Sequence, residues 1–387
     1  METVQSPRRH APINFSSSAF VGTHEGRYRD IWSILGQEWD NRFLAAAWAV
    51  NTIPGPEHGI LNPNFMLSDE QREAIFPILA SMKWFFGMQL LSGKCDHLLM
   101  TGAKYRAMID RALAMIERLT RTEGKPVTFR HIWGQFGQRP REDKIDGTVI
   151  DIYDALPDNV KYHPWVIEQM SLQNESGTYE LFNGPFATEF ELGILAILVA
   201  ADGDVIIGDY APCSDAKNLP GVPARTVESC KLTLANGQEI TAINCPAVER
   251  DYGPPRPTSI STTEHLLQTC DISEGETIVV VTVRIHGPRI VGDVERVIHS
   301  VHPGVKVLGF SQSVSGDPRK YINHALAESV NQLVKWAEET FNAMCPTGSK
   351  PIDLKRTRQL LNRIHANPTA QTVACILVEV TCGLVPA

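Results

Sequence analysis

The residues best suited to chemistry lie at 284–289, Arg-Ile-His-Gly-Pro-Arg, directly behind the apolar run 277–283, Thr-Ile-Val-Val-Val-Thr-Val. Imidazole titrates near neutral pH, and guanidinium is a permanent cation with a planar fork of donors. His286 and Arg289 stand three positions apart behind a strand that reads as buried on both faces. That arrangement suits proton transfer beside an anionic group. A single histidine is more often structural than catalytic; the pairing and the position give this one its weight.

Three other stretches share that kind of position. At 101–106, Thr-Gly-Ala-Lys-Tyr-Arg, an apolar run becomes a helical pattern at a glycine, and free backbone N–H groups at Gly102 and Ala103 suit an anionic or polar ligand. The geometry of a tight turn explains a glycine equally well. At 184–189, Gly-Pro-Phe-Ala-Thr-Glu, Thr188 is placed to cap an apolar helix and Glu189 falls in its first turn. The helix dipole favours a carboxylate there, so Glu189 reads first as helix-start chemistry and second as a functional carboxylate. At 256–265, hydroxyl residues including Ser259, Thr262 and Thr263 gather ahead of a helix, with Glu264 near its first turn. Capping accounts for one or two of them, not for the cluster. Arg139, in the Gly-rich segment 134–140, is a second candidate for holding an anionic group.

Some chemistries find no support. There is no G-x-G-x-x-G fingerprint, no phosphate-binding loop ending in Lys-Ser/Thr, no G-x-S-x-G elbow and no H-E-x-x-H. The 12 histidines are scattered, and no metal is expected. The 8 cysteines include no C-x-x-C pair and mostly neighbour apolar or small residues, as buried thiols in a reducing compartment do.

The elements that must position these residues follow from periodicity. Residues 1–22 are polar and rich in Ser and Pro. Residues 24–50 repeat apolar side chains at helical spacing, and a second helix begins at Ser68, with Gln71 completing a capping box, and runs to about residue 91 with an interruption at Pro77. Strands are expected at 96–103, 127–133, 204–208, 277–283 and 305–310, and helices at 104–122, 188–201, 261–270, 291–300, 324–344 and 354–364. Residues 231–234 and 239–243 alternate around Asn236-Gly237, the signal of a hairpin with a type I′ turn. Strands alternating with helices predict an α/β fold: a doubly wound, mostly parallel, Rossmann-like sheet with right-handed crossovers. The predicted order is a flexible 1–22, a helical annex 23–94, an α/β domain 95–344 in which the hairpin is an insertion, and a C-terminal extension 345–387. Ligands of such sheets sit beyond the carboxyl ends of the strands, where all four stretches fall.

Composition sets outer bounds. With 36 Lys and Arg against 44 Asp and Glu, the formal charge is −8, which argues against a general nucleic-acid or anionic-membrane binder. The N-terminus lacks an apolar stretch behind its early charges, and the longest apolar run, 192–201, is about half of the ~20 residues of a membrane span. A soluble, cytoplasmic protein is expected.

The order of the four stretches resembles the YdcF/SanA-like α/β domain family, a domain of unknown function. The matching residues are 99–103, Thr188-Glu189, 259–265, and Val281-Thr282 with His286 and Arg289, spread over about residues 95–340. His265 departs from the family's usual Asn, and the segments 140–185 and 231–243 look like insertions. The resemblance implies a Rossmann-like layer with a polar pocket built by the four motifs, and S-adenosylmethionine binding for some relatives.

Three functions follow as expectations. The first is an enzyme, of hydrolase or transferase type, acting on a nucleotide-like or phosphorylated small molecule, with His286, Glu189 and Glu264 as acid–base groups and Arg289 and Arg139 on the anion. The second is a module that binds S-adenosylmethionine or a nucleotide without chemistry. The third is a scaffold, homo-oligomeric through Trp32, Trp39, Trp48, Trp84, Phe85 and Phe86, although aromatic packing inside the annex explains those residues more simply.

Overall fold

The computed structural model describes residues 17–39, 41–53, 66–82, 84, 94–120, 128–171, 185–213, 219–249, 255–282, 286–311, 317–347, 349 and 351–385. The chain divides into two compact units, one formed by 1–83 with 319–387 and the other by 84–318.

The first unit is helical: α1 (Ser17–Ile34), α2 (Arg42–Thr52), α3 (Asp69–Ser81), α12 (Ile322–Met344), α13 (Leu354–Ala366) and α14 (Ala370–Thr381). The single helix expected over 24–50 is two. Gly36 takes φ +72 and ends α1: its N–H donates to Ser33 O and that of Gln37 to Trp32 O, satisfying the last carbonyls. Asn41 then caps α2, accepting from Phe43 N at 2.7 Å. The Ser68–Gln71 capping box opens α3 as expected, and α3 ends at Ser81; the rest of its expected run, 83 and 85–91, lies outside the described residues, and with it Phe85 and Phe86. Trp32 and Trp39 are buried and meet edge to face at 5.2 Å, with Tyr28 and Trp48 against them. Tyr28, Trp32 and Trp39 are core, and Trp48 is half-buried against them. Helix α12, expected in the α/β domain, packs instead on α1, α2, α3 and α13, with Phe341 stacked on Phe43.

The second unit is built on a seven-stranded mixed sheet of order β3-β4-β5-β2-β1-β6-β7. The strands are β1 (Lys94–Thr101), β2 (Thr128–Gly137), β3 (Val205–Pro212), β4 (Val227–Leu234), β5 (Glu239–Cys245), β6 (Thr277–Val281) and β7 (Lys306–Phe310). β1 pairs in parallel with β2 and β6, β2 with β5, and β6 with β7, whereas β4 runs antiparallel to both β3 and β5. The fold is therefore α/β with a mixed sheet. Strand 204–208, expected in a parallel array, is the antiparallel edge strand β3, because among the described residues no crossover helix separates β3, β4 and β5. The hairpin expected as an insertion supplies β5, a partner of the central β2.

Helices α4 (Tyr105–Thr120) and α9 (Glu189–Ala200) pack together on one face, and α10 (Ser259–Thr269) and α11 (Gly287–Val301) on the other. Four short helices, α5 (Asp143–Asp146), α6 (Val149–Asp154), α7 (Asp158–Lys161) and α8 (Pro164–Ser171), occupy the segment that periodicity left unread. Apolar residues line the α4/α9 face, with Leu98, Met100, Ile132, Phe136 and Val281 from the strands.

Candidate functional site

Behind β1, the chain turns at Gly102 into α4, and the groups there are already engaged. Gly102 N donates to Gln135 O at 2.7 Å, and Tyr105 N donates to Asp146 Oδ1 at 2.9 Å. Asp146, from the little helix α5, thus fills the anion position at the start of α4, a place the helix dipole makes favourable. The backbone expected to receive a ligand receives a carboxylate of this chain.

Arg139 is committed in the same way. This buried guanidinium binds both oxygens of Asp146 at 3.0 and 3.1 Å, Glu189 Oε2 at 3.2 Å and Glu142 Oε1 at 3.3 Å, and reaches Ala103 O at 3.4 Å. It holds two internal carboxylates together rather than an external anion. Burial works against the charge of Arg139, but Glu189 and Asp146 outweigh it and raise its pKa. Burial likewise opposes ionisation of Asp146, and the Arg139 contact overcomes it, so that the Asp146 carboxyl lies below its ordinary value.

Glu189 differs. Burial pushes its pKa up, and its one contact with Arg139 and the charge of Arg111 do not restore it. Its carboxyl lies over the β1–α4 turn so closely that a Cβ built on Gly102 would stand 1.9 Å from Oε1. That approach, rather than turn conformation, is what requires glycine at 102. Thr188 caps α9: it accepts from Phe190 N at 3.3 Å and forms a capping box with Glu191. Arg111, on the buried stripe of α4, donates through Nη1 to Thr101 O, Thr101 Oγ1 and Gly102 O at 2.6, 2.7 and 2.5 Å. Its burial lowers its pKa to about 10.

On the opposite face the hydroxyl cluster separates into roles. Thr258 caps α10 in a box with Ser261, while Thr262 and Thr263 bond back to Ser259 O at 3.3 and 2.7 Å. Ser259 Oγ donates to Asp293 Oδ2 at 2.6 Å, tying the start of α10 to α11, and Asp293 lies 4.0 Å from Arg289. Glu264 points to solvent and joins none of these groups. Its neighbour His265 is turned inward, with Nε2 3.1 Å from Arg225 Nη2.

His286 is the N-cap of α11 but makes no side-chain capping bond, and the first turn of α11 holds no acidic residue. Arg289 stands in that turn, its charge felt by Arg111. The predicted helix at 291–300 therefore begins earlier, at Gly287, and carries both residues at its start. The structure brings Gly102, Ala103, Arg139 and Glu189 together on one side of the central strand ends. Ser259 and Arg289 meet through Asp293 at the other, where His286 is the N-cap of the helix that carries Arg289.

Sequence reading missed Arg111, Gln135, Asp146 and Ser311, all buried here; Thr282 it had named only beside Val281 at the end of the buried strand. Arg111 had a signal: it interrupts the apolar stripe Met108, Ala112, Met115. Asp146 had none, since its segment shows no long period. Among the described residues no group of three or more His, Cys, Asp and Glu side chains is placed to hold a metal ion. Nor is any helix long and apolar enough to cross a membrane. Comparison with protein-family models, with curated proteins and with solved structures finds no match to this chain.

Proposed function

We propose that the sheet unit binds a small molecule with an anionic group, a nucleotide-like or phosphorylated metabolite, beyond the carboxyl ends of β1 and β6, and acts on it as a hydrolase or transferase. The order β5-β2-β1-β6-β7 is read as a Rossmann-like parallel layer, and β1/β6 as the place where its connections change face and a crevice opens. One comparison carries the reading. Of the long helices of the sheet unit that start behind parallel strands, α4 is closed by Asp146 and α10 by its Thr258 box, but α11 has no side-chain cap from its own N-cap residue and no first-turn acid. Arg289 would hold the anion there, and His286 would act as general acid or base.

Thermal unfolding against nucleotides, nucleotide sugars, sugar phosphates, S-adenosylmethionine and its demethylated product tests this. The resemblance to YdcF/SanA-like proteins is what brings S-adenosylmethionine into the panel. A ligand at 100 times its Kd stabilises the fold by about 2.7 kcal/mol. A phosphate-bearing compound is expected to raise the Tm, Arg289→Met to abolish the rise, and His286→Ala to keep the rise while losing turnover. No shift with any compound sinks the proposal; binding of S-adenosylmethionine without product, surviving both substitutions, favours a non-catalytic module at another place.

A further inference from the structure

Gln135 stands out among the described residues because its whole side-chain amide, Oε1 and Nε2 alike, is buried without a hydrogen-bond partner at 1 % exposure. Leaving a buried polar group unpaired is costly, and a fold that retains one generally has a use for it. Its neighbours suggest which use. Phe136 packs beneath Gly193 of α9, so Gln135, one residue earlier on β2, faces the side that carries α10 and α11. Thr101 is its registered partner on β1. Met100 pairs with Val281 and Val281 with Phe310, so the next rung sets Thr101 beside Thr282 and Ser311. Gln135, Thr101, Thr282 and Ser311 thus form one buried polar row across four neighbouring strands, level with the end of β1 and one residue beyond the ends of β6 and β7. The start of α11, with His286 and Arg289, follows β6 at the far part of that row.

We infer that the ligand of this crevice is a nucleotide, its base edge paired with Gln135 and its phosphate at the first turn of α11. A carboxamide presents a donor and an acceptor side by side, and the planar edge of a nucleobase is the complement that satisfies both at once. Gln135 and Thr282 stand two strand spacings apart, roughly 10 Å, and the base and phosphate of a nucleotide are separated on the same scale. Thr101, whose Oγ1 accepts from Arg111 at 2.7 Å, stands on the strand between them, where the sugar would lie. The inference rests on the crevice proposed above and adds to it the identity of the non-phosphate half of the ligand.

Gln135→Met, nearly equal in volume, is the test, read by Tm without ligand and by calorimetric titration with AMP and with ribose 5-phosphate. The parent is expected to bind AMP at least about tenfold more tightly than ribose 5-phosphate. In the variant that preference disappears, ribose 5-phosphate binds as before, and the Tm stays level or rises because an unpaired amide has gone. Gln135→Glu, which keeps the acceptors and removes the donor, is expected to lose the preference as well. A lower Tm with an unchanged AMP preference overturns the inference and makes Gln135 the partner of a structural water, with the crevice intact. Failure of both compounds to bind the parent overturns the crevice reading and the base assignment with it.

Discussion

At the scale of single residues, the carbonyl end of the sheet is governed by how buried charges are settled. Asp146 gains two hydrogen bonds from Arg139 and two from backbone N–H groups, of Tyr105 and Glu142, and remains ionised. Glu189, with less compensation, is pushed towards its neutral form. A carboxyl raised in this way is one that can donate a proton. The other end of the sheet holds a second buried titratable group. His97 is fully buried; its Nδ1 accepts from Trp133 Nε1 at 3.2 Å, so Nε2 carries the proton and donates to Glu276 at 2.7 Å. His131 stacks on it at 5.2 Å. Burial first, and then charge from Arg130 or the neighbouring histidine, lowers both pKa values from 6.5. Above that pH both states are neutral. As the pH falls through it, the unfolded chain takes up protons that the folded chain refuses, so stability is lost progressively until the folded-state pKa values are reached. The denaturant midpoint is expected to drop between pH 7.5 and 5.5, and to drop less in a His97→Gln, His131→Gln variant. Equal drops in the two proteins would remove these histidines from the account.

At the scale of elements, contacts override local preference in both directions. Beyond its first turn, helix α9 is apolar on every side because it packs on β2 and β5 and, beside them, against α4, and its Gly193 sits where a Cβ would meet the Phe136 ring at 2.4 Å. Alanine is favoured over glycine in a helix by about 1 kcal/mol, yet overpacking a closed core costs about 1–3 kcal/mol. Gly193→Ala is therefore expected to destabilise the protein in urea titration, with part of the loss regained in combination with Phe136→Leu; a single variant as stable as the parent would show that the ring moves freely. The hairpin turn shows the reverse. Asn236-Gly237 signalled a turn correctly, but Asn236 has no positive φ, and Gly237 alone takes φ +81, with its N–H bonded to Leu234 O. The turn is not type I′. It is closed by one left-handed glycine, a three-residue arrangement that a two-residue pattern cannot distinguish.

At the scale of the whole molecule, the chain enters and leaves the helical unit at both ends, whereas the sheet unit is one continuous stretch, 84–318. A fragment of those residues is expected to fold alone and unfold cooperatively. Removal of 1–83 from the full chain is expected to aggregate, because α12 loses the partners α1, α2 and α3 that cover its apolar side. A monomeric 84–387 with α12–α14 still helical by circular dichroism would contradict this. The sequence by itself determined the α/β class, the positions of most strands and helices, the Ser68, Thr188 and Asn236-Gly237 signals, and the placing of His286 and Arg289 behind a buried strand, since each depends on period or on chemistry within a few residues. Only the tertiary structure decided that α12 belongs to the helical unit, that β3 and β4 run antiparallel, that Arg139 and the Gly102 turn are taken by Asp146 and Glu189, and that Gln135 is left unpaired. Those outcomes turn on which distant groups meet once the sheet is assembled, and one chain's pattern of apolar and polar residues carries no record of that meeting.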